Sequence, residues 1–366
     1  MSEHKYKHYL AFGEQTDLIT AENTTVGFMP VKSFVGVGAE FEDKEVVEFR
    51  GDEAVLGTTN VIRYGKKWAL SPEMPFFVES GGGEKNIPAM LFKHLAGHGV
   101  CVLNAATGQY DNTISPVSNP RATANLGTKA LTLNSNLSHG DTPRNHPHVG
   151  GLVKSIKLSQ AFNEELKISV EHPGAFVEAN EAEVGSPTYP AENLRLKYNH
   201  LKAYSGGITP VGTAPDYTDF TLTAGNQFKP HDLEISFSCE RDLTGEMGGV
   251  DYPSKIEDGE HTVTVEFGID FRNPASGFNS LDEFTAWLAG VDSTAEFCFH
   301  WDTGVTAGTG DNYSQFIYLP EMYRQKPDID WDPKKTPVIK LKYKGKYNAT
   351  NKAQWIALIK NTASAI

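Results

Sequence analysis

The chain has 366 residues, with 33 Lys and Arg against 46 Asp and Glu and a formal net charge of -13. That length holds two ordinary domains or one large β structure, and an apolar share of 39% with 11% aromatics is that of a folded globular protein. The acidic balance argues against gripping a nucleic-acid backbone, which requires clustered Lys and Arg, but it is compatible with DNA passing nearby without adhering.

The opening Met1-Ser2-Glu3-His4-Lys5 is polar and no apolar stretch follows it, so no secretory signal is expected. No run reaches the length of a membrane helix, and folding in a cytoplasm is expected. A helix is predicted over 87–96, where Ile87, Met90, Leu91 and Leu95 form one stripe, Pro88 suits the first turn and Gly97 the stop. It lies between a strand predicted at 68–78 and another at 100–103. The stretch 104–150 is rich in Asn, Thr, Ser and Gly and reads as irregular apart from a short strand near 130–133. In a structural subunit it would be an arm that orders on a neighbour. Strands with period-two alternation follow at 166–170 and 194–198, and Pro173 to Pro190 between them reads as a linker or a long exposed loop carrying Glu178, Glu181 and Glu183.

Further alternating strands are predicted at 233–239, 263–271 and 339–343, with another at 295–299. A second helix is predicted over 281–289, with Ser280 and Glu283 as a capping box, Leu281, Phe284 and Leu288 as the stripe and Gly290 as the stop. A third helix is expected at 352–360. The basic stretch 334–346 reads in two ways: a patch complementary to the acidic linker for head-to-tail contacts, or a strand with a solvated lysine face.

The first two helices both end in Leu-Ala-Gly, at 95–97 and 288–290. Gly290 follows Gly97 by 193 residues, and Val263 follows Leu70 by the same 193, so strand and helix match without a gap. Matching order, length and cap indicate an internal duplication. The expected division is 1–185 and 186–366, with the long loop in the first part and a C-terminal strand and short helix in the second.

Chemistry is thinly signalled. Cys101, Cys239 and Cys298 each sit in an apolar strand-like run and read as buried free thiols. His139 and Asp141, with His146 and His148 around Pro147, are the best candidates for metal ligands, although a loop setting favours solvated histidines. Glu79-Ser80-Gly81-Gly82-Gly83 lacks the Gly-Lys-Ser/Thr ending of a phosphate loop, and Gly245 to Gly249 carries an acid instead; both read as turns. Asp328-Ile329-Asp330-Trp331-Asp332 lacks the glycine and final glutamate of a calcium loop and reads as a surface turn. Trp68, Trp287 and Trp301 read as core rather than as a sugar platform. No catalytic, cofactor-binding or metal-binding residue is assigned, and no enzyme activity is expected.

In order, the segments Lys66–Leu70 through Leu95–Gly97, Val153–Leu158 into Leu166–Val170, Leu233–Glu240, Ile256–Glu260 into His261–Val263, and Phe316–Pro320 resemble the tail tube proteins of bacteriophages with long non-contractile tails. More narrowly, the chain resembles their duplicated type with two tube domains. The likeness covers about residues 25 to 345 and rests on an ordered pattern, not on a sharp motif; the stretch 104–150 lies outside it. The resemblance implies a mainly β fold of two tandem β-sandwich or tube-barrel domains, each with a flanking helix. It implies a virion protein that contacts itself within and between stacked rings, and contacts tape-measure, tail-tip and terminator proteins. Assembly in the host bacterial cytoplasm, a channel through which DNA passes unbound, no membrane span and no cofactor are further implications. Six domains usually complete a ring in the family, so two per chain imply a trimer with pseudo-sixfold symmetry. A β-sandwich carbohydrate-binding, adhesin or virion-decoration protein is the alternative expectation.

Overall fold

The structure, a computed structural model, describes residues 10–32, 39–46, 60–79, 86–136, 145–178, 184, 188–244, 255–274, 277–291, 294–330 and 336–363. Strands dominate, as the alternation predicts. In the first half they are β1 (Leu10–Gln15), β2 (Val26–Met29), β3 (Ala39–Val46), β4 (Asn60–Leu70), β5 (Glu73–Pro75), β6 (Gly97–Asn104), β7 (Gln109–Pro116), β8 (Ala130–Asn136), β9 (Asn145–Gly151), β10 (Ser155–Ala161), β11 (Lys167–Gly174) and β12 (Phe176–Val177). The second half has β13 (Leu201–Ser205), β14 (Ile208–Thr213), β15 (Asp216–Leu222), β16 (Gln227–Phe228), β17 (Asp232–Thr244), β18 (Lys255–Asp270), β19 (Thr294–Thr306), β20 (Asn312–Arg324), β21 (Asp328–Asp330), β22 (Val338–Gly345) and β23 (Ile356–Asn361). Two α-helices interrupt them, α1 (Ile87–Ala96) and α2 (Ser280–Leu288).

Every strand pair is antiparallel among the described residues, and the large sheet runs in the order β16-β13-β19-β20-β22-β18-β17-β10-β11-β4-β3. Its middle contains the same order twice. In the second half β20, β22, β18 and β17 lie side by side; in the first half β10, β11, β4 and β3 do. Each set places the strand before the helix (β4, β18) between its hairpin partner (β3, β17) and the strand that follows later (β11, β22). The helices begin 193 residues apart, at Ile87 and Ser280. A separate sheet of order β12-β9-β8-β1-β2 occurs in the first half.

The two halves share one hydrophobic core, which runs from Leu10 and Trp68 through Phe92 and Phe237 to Trp301 and Ile359. β10 pairs with β17 from Ser155↔Ser238 to Ala161↔Asp232, and β7 pairs with β23 from Tyr110↔Asn361 to Ile114↔Ala357. Side chains tie the same seam. Asn112 Nδ2 donates to Asn361 Oδ1 at 3.0 Å, and Trp301 Nε1 donates to Gln160 Oε1 at 2.9 Å. The expected boundary at 185/186 lies outside the described residues.

Several expectations change. The predicted third helix at 352–360 is the strand β23, with all six residues buried. Its run Ile356-Ala357-Leu358-Ile359 is apolar at consecutive positions, which fits a helix or a strand buried on both faces; lying between β20 and β7 selects the strand. The 194–198 segment is not a regular strand. Leu194 ends a 3₁₀ turn, and Arg195 and Lys197 make single bridges to Phe77 and Glu165.

The 104–150 stretch is largely strand. β8 and β9 sit in the small sheet with β1, and polar side chains replace the missing apolar pattern. Asn145 Nδ2 donates to Asn134 Oδ1 at 2.7 Å, and Trp68 Nε1 donates to Val149 O at 2.9 Å. A Cβ at Gly174 would run into the Trp68 indole, so that glycine admits the ring to the core. The start of the predicted linker is strand, since Pro173 and Gly174 end β11 and Phe176–Val177 is β12. Asp328 and Asp330 belong to β21, an exposed strand and not a turn.

Candidate assembly surfaces

The seam between the halves shows how this chain joins one four-strand set to the next. On its buried face Ile156 lies opposite Phe237 and Leu158 opposite Ile235. On its open face Lys157 pairs with Glu234 at 2.8 Å. At the end of β17, Arg241 is fully buried. Its guanidinium donates to the α1 carbonyls of His94 and Leu95, to Val153 O at 2.8 Å and to Asp258 Oδ1 at 2.5 Å. Arg121 meets the other Asp258 oxygen at 3.0 Å. A cation on the last carbonyls of α1 opposes the negative end of the helix dipole. It also supplies donors to carbonyls that the helix itself leaves unpaired.

The α1 cap is otherwise as predicted. Gly97 has φ +91°, and a left-handed C-cap favours glycine. The predicted capping box of α2 is not formed. Asn279 is the N-cap and accepts from Leu281 N and Asp282 N, each at 3.1 Å. Ser280 Oγ instead donates to Asp270 O and accepts from Arg272 N, both at 2.8 Å. Glu283 turns away to Arg324 (2.6 Å) and the Tyr343 hydroxyl (2.8 Å). Asparagine one residue upstream outcompetes serine because its carbonyl reaches two amides.

Two edges of the repeated sets are open among the described pairings. β3 pairs with β4 alone, and β21 pairs with β22 alone. In the sheet order the counterpart of β3 is β17, and the counterpart of β10 is β20, which is itself flanked by β19, β22 and β23. β17 and β10 are the strands that form the internal seam. All three residues of β21 are exposed, and Asp328 is held by Lys342 at 2.5 Å.

The solvated face of β10, β11, β17, β18 and β22 is polar. Serines and threonines alternate there with charges that pair across strands, as with Lys157–Glu234, Lys340–Glu266 (2.8 Å) and Lys342–Glu266 (3.5 Å). Lys340 and Lys342 of β22 are thus engaged inside the chain, which supports the solvated-strand reading over the complementary patch. Among the linker acids Glu181 and Glu183 lie outside the described residues.

The four candidate metal ligands are described only in part. His139 and Asp141 lie outside the described residues. His148 is buried, with Nδ1 2.9 Å from His146 O and its ring edge-on to Trp68, so β9 uses it for packing. Among the described residues no three His, Cys, Asp or Glu side chains form a metal-like group. Cys239 and Cys298 are buried free thiols as expected, and Cys101 is half-buried. Burial raises all three thiols, and Cys239 Sγ lies 3.8 Å from His261 Nε2. Burial, with Arg241 nearby, lowers His261 to about 4, so this is a neutral thiol beside a neutral imidazole rather than an activated pair.

The two glycine-rich stretches fall largely outside the described residues; Glu79 accepts from Thr362 Oγ1 at 2.8 Å. Trp68 and Trp301 are buried, whereas Trp287 is half-exposed.

Some polar clusters carry no sequence signal, because their members come from distant segments. Lys360, only 4% exposed, meets Asp311 at 2.6 Å and Asp219 at 3.0 Å. His94 on α1 meets Glu14 on β1 at 3.2 Å, with Lys129 at 3.0 Å from the same carboxylate. Burial would raise the Glu14 carboxyl, but His94, Lys93 and Lys129 outweigh it and hold it well below the usual range. Burial lowers His94 to about 4 despite Glu14.

No helix among the described residues is long and apolar enough to cross a membrane. Comparison with known proteins finds no family model that matches the chain and no curated protein similar to it.

Proposed function

We propose that this chain is the tail tube subunit of a long, non-contractile-tailed bacteriophage, built as two tandem tube domains over about 1–185 and 186–366. One observation carries the reading: the large sheet contains twice a strand flanked by its hairpin partner and a later strand, β3-β4-β11 and β17-β18-β22, and β17 pairs with β10 so that the two halves form one continuous sheet. Among the described pairings β3 has an open edge, which is a template for adding a further copy, and ring closure removes the hazard of exposed edges. Each chain contributes eight strands to the ring, and three chains complete six sets.

The solvated strand face lines the channel in this arrangement. Its lysines are matched by carboxylates on neighbouring strands, which leaves little unpaired positive charge to hold a DNA backbone. The expected self-contacts, the contacts with tape-measure, tail-tip and terminator proteins, and a place in the virion tail belong to this reading.

Negative-stain microscopy tests it. Concentrated protein should give rings or stacked tubes roughly 100 Å across, the size expected for six small domains closed in a ring. Chains that stay monomeric even with a tail-tip initiator present contradict it.

A further inference from the structure

A cavity of about 670 Å³ lies where the turns of 121–129 meet the end of β1 and the start of β18. Three of its described lining residues are cations, Arg121, Lys129 and Lys255, and none is a carboxylate. Thr16, Thr123 and Thr128 line it as well and bring hydroxyls. In a chain of net charge -13 this is a local reversal of sign, and a concave surface lined by one sign of charge concentrates the opposite ion.

Arg121 is the informative member. Its Nε donates to Asp258 Oδ2 at 3.0 Å and its Nη1 to Lys129 O at 2.9 Å, but Nη2 is buried and has no partner. A buried guanidinium nitrogen without an acceptor is costly, and a charged acceptor is the strongest partner it can gain. The carboxylates nearby are already in use. Asp258 serves Arg241 as well as Arg121, and Glu14 serves His94 as well as Lys129. Lys255 meets Glu257 at 3.0 Å, with both side chains more than half exposed, so that pair opens easily.

We infer that this cavity binds a phosphate group, with Arg121, Lys129 and Lys255 as its cations. A tetrahedral group with three charged oxygens can meet three cations that stand on separate segments. A carboxylate has two oxygens, and Arg121 has committed Nε and Nη1, so the two-nitrogen fork that grips a carboxylate is not free. The site also reaches the seam. Arg121 shares Asp258 with Arg241, which holds the last carbonyls of α1, so a phosphate bound at Arg121 stabilises the network that joins the two halves. The inference stands apart from the assembly reading, since every residue in it belongs to one chain.

Calorimetric titration of the full chain at fixed ionic strength tests it, with inorganic phosphate in one arm and glycerol phosphate in the other. Saturable binding of one phosphate per chain is expected, and acetate should bind at least tenfold more weakly. Glycerol phosphate binding as well as the free ion assigns the site to the phosphoryl group of a larger molecule; binding of inorganic phosphate alone assigns it to the ion. Arg121→Gln should abolish binding. Because that change also loosens Asp258, Lys255→Gln provides the second variant. It should weaken phosphate at least threefold and leave thermal unfolding of the phosphate-free chain unchanged. No saturable binding, acetate as tight as phosphate, or unaltered affinity in Lys255→Gln overturns the site.

Discussion

Helices α1 and α2 begin 193 residues apart and share the ending Leu-Ala-Gly, yet nine of the ten α1 residues are buried and Ser280 is the one buried residue of α2. Local chemistry accounts for what they share. Each has an asparagine N-cap, an apolar stripe and a glycine in the left-handed region after the last turn. Burial depends instead on what arrives from elsewhere in the chain. α1 receives Arg241, Phe237 and Trp355 from the second half and Glu14 from β1. α2 receives Arg324 and Tyr343 from its own half. The pair therefore separates what a helix sequence dictates from what a neighbouring set of strands adds.

The largest effect that can break this comparison is at the two arginines. Arg241→Ala leaves buried Asp258 with Arg121 alone and three carbonyls without this donor, and should cost about 3–5 kcal/mol. Arg324→Ala opens a more exposed pair, and should cost on the order of 1 kcal/mol after allowance for solvent. Urea unfolding of both variants measures the difference, and equal losses would remove the distinction. Next are the matched leucines. Leu95→Ala should lose roughly 2–5 kcal/mol through transfer and cavity terms. Leu288→Ala in the isolated chain should stay within about 0.5 kcal/mol.

A pH series sharpens the contrast further. Burial lowers His94 to about 4 and His172 to about 3 in the first half, and His261 and His300 to about 4 in the second. Their folded values lie below the unfolded value near 6.5, so the unfolded chain takes up protons first as pH falls. Stability is then full above about 6.5 and lost as pH drops toward 4, by about 1.4 kcal/mol per pH unit for each histidine. Glu14, lowered by His94, Lys93 and Lys129, adds loss in the same direction below the usual carboxylate range. α2 has Trp287 at the position matching His94, so His94→Gln should flatten the acid limb where changes to α2 do not. Equal stability at pH 7 and pH 5 would contradict the buried, neutral histidines. The smallest expected effect is at the exposed seam pair. Removing Lys157 should cost about 0.2–1 kcal/mol, because both partners are nearly half exposed.

Much of the β scaffold was legible in sequence, for physical reasons. Where one face is buried and the other solvated, as in 233–239 and 263–267, alternation is strict and β17 and β18 follow it. The helix bounds 87–96 were readable because Pro88, the stripe and Gly97 agree. β23 was misread because a strand buried on both faces has no alternation to display. β9, Asn145-His146-Pro147-His148, was missed because asparagine and histidine satisfy its burial through hydrogen bonds instead of apolar contact. The seam was not legible at all. Nothing in Arg241, Asp258 and Arg121 taken singly announces that they meet, since 137 residues separate Arg121 from Asp258. The equal spacing of the two Leu-Ala-Gly endings is matched by the 193 residues between the starts of α1 and α2.

The most direct test of the account is the rotational symmetry of an assembled ring, read from averaged top views by electron microscopy together with the ring's mass. If each half is one tube domain, each ring contains three chains, with three-fold symmetry and six similar lobes. A ring of six chains would contradict it.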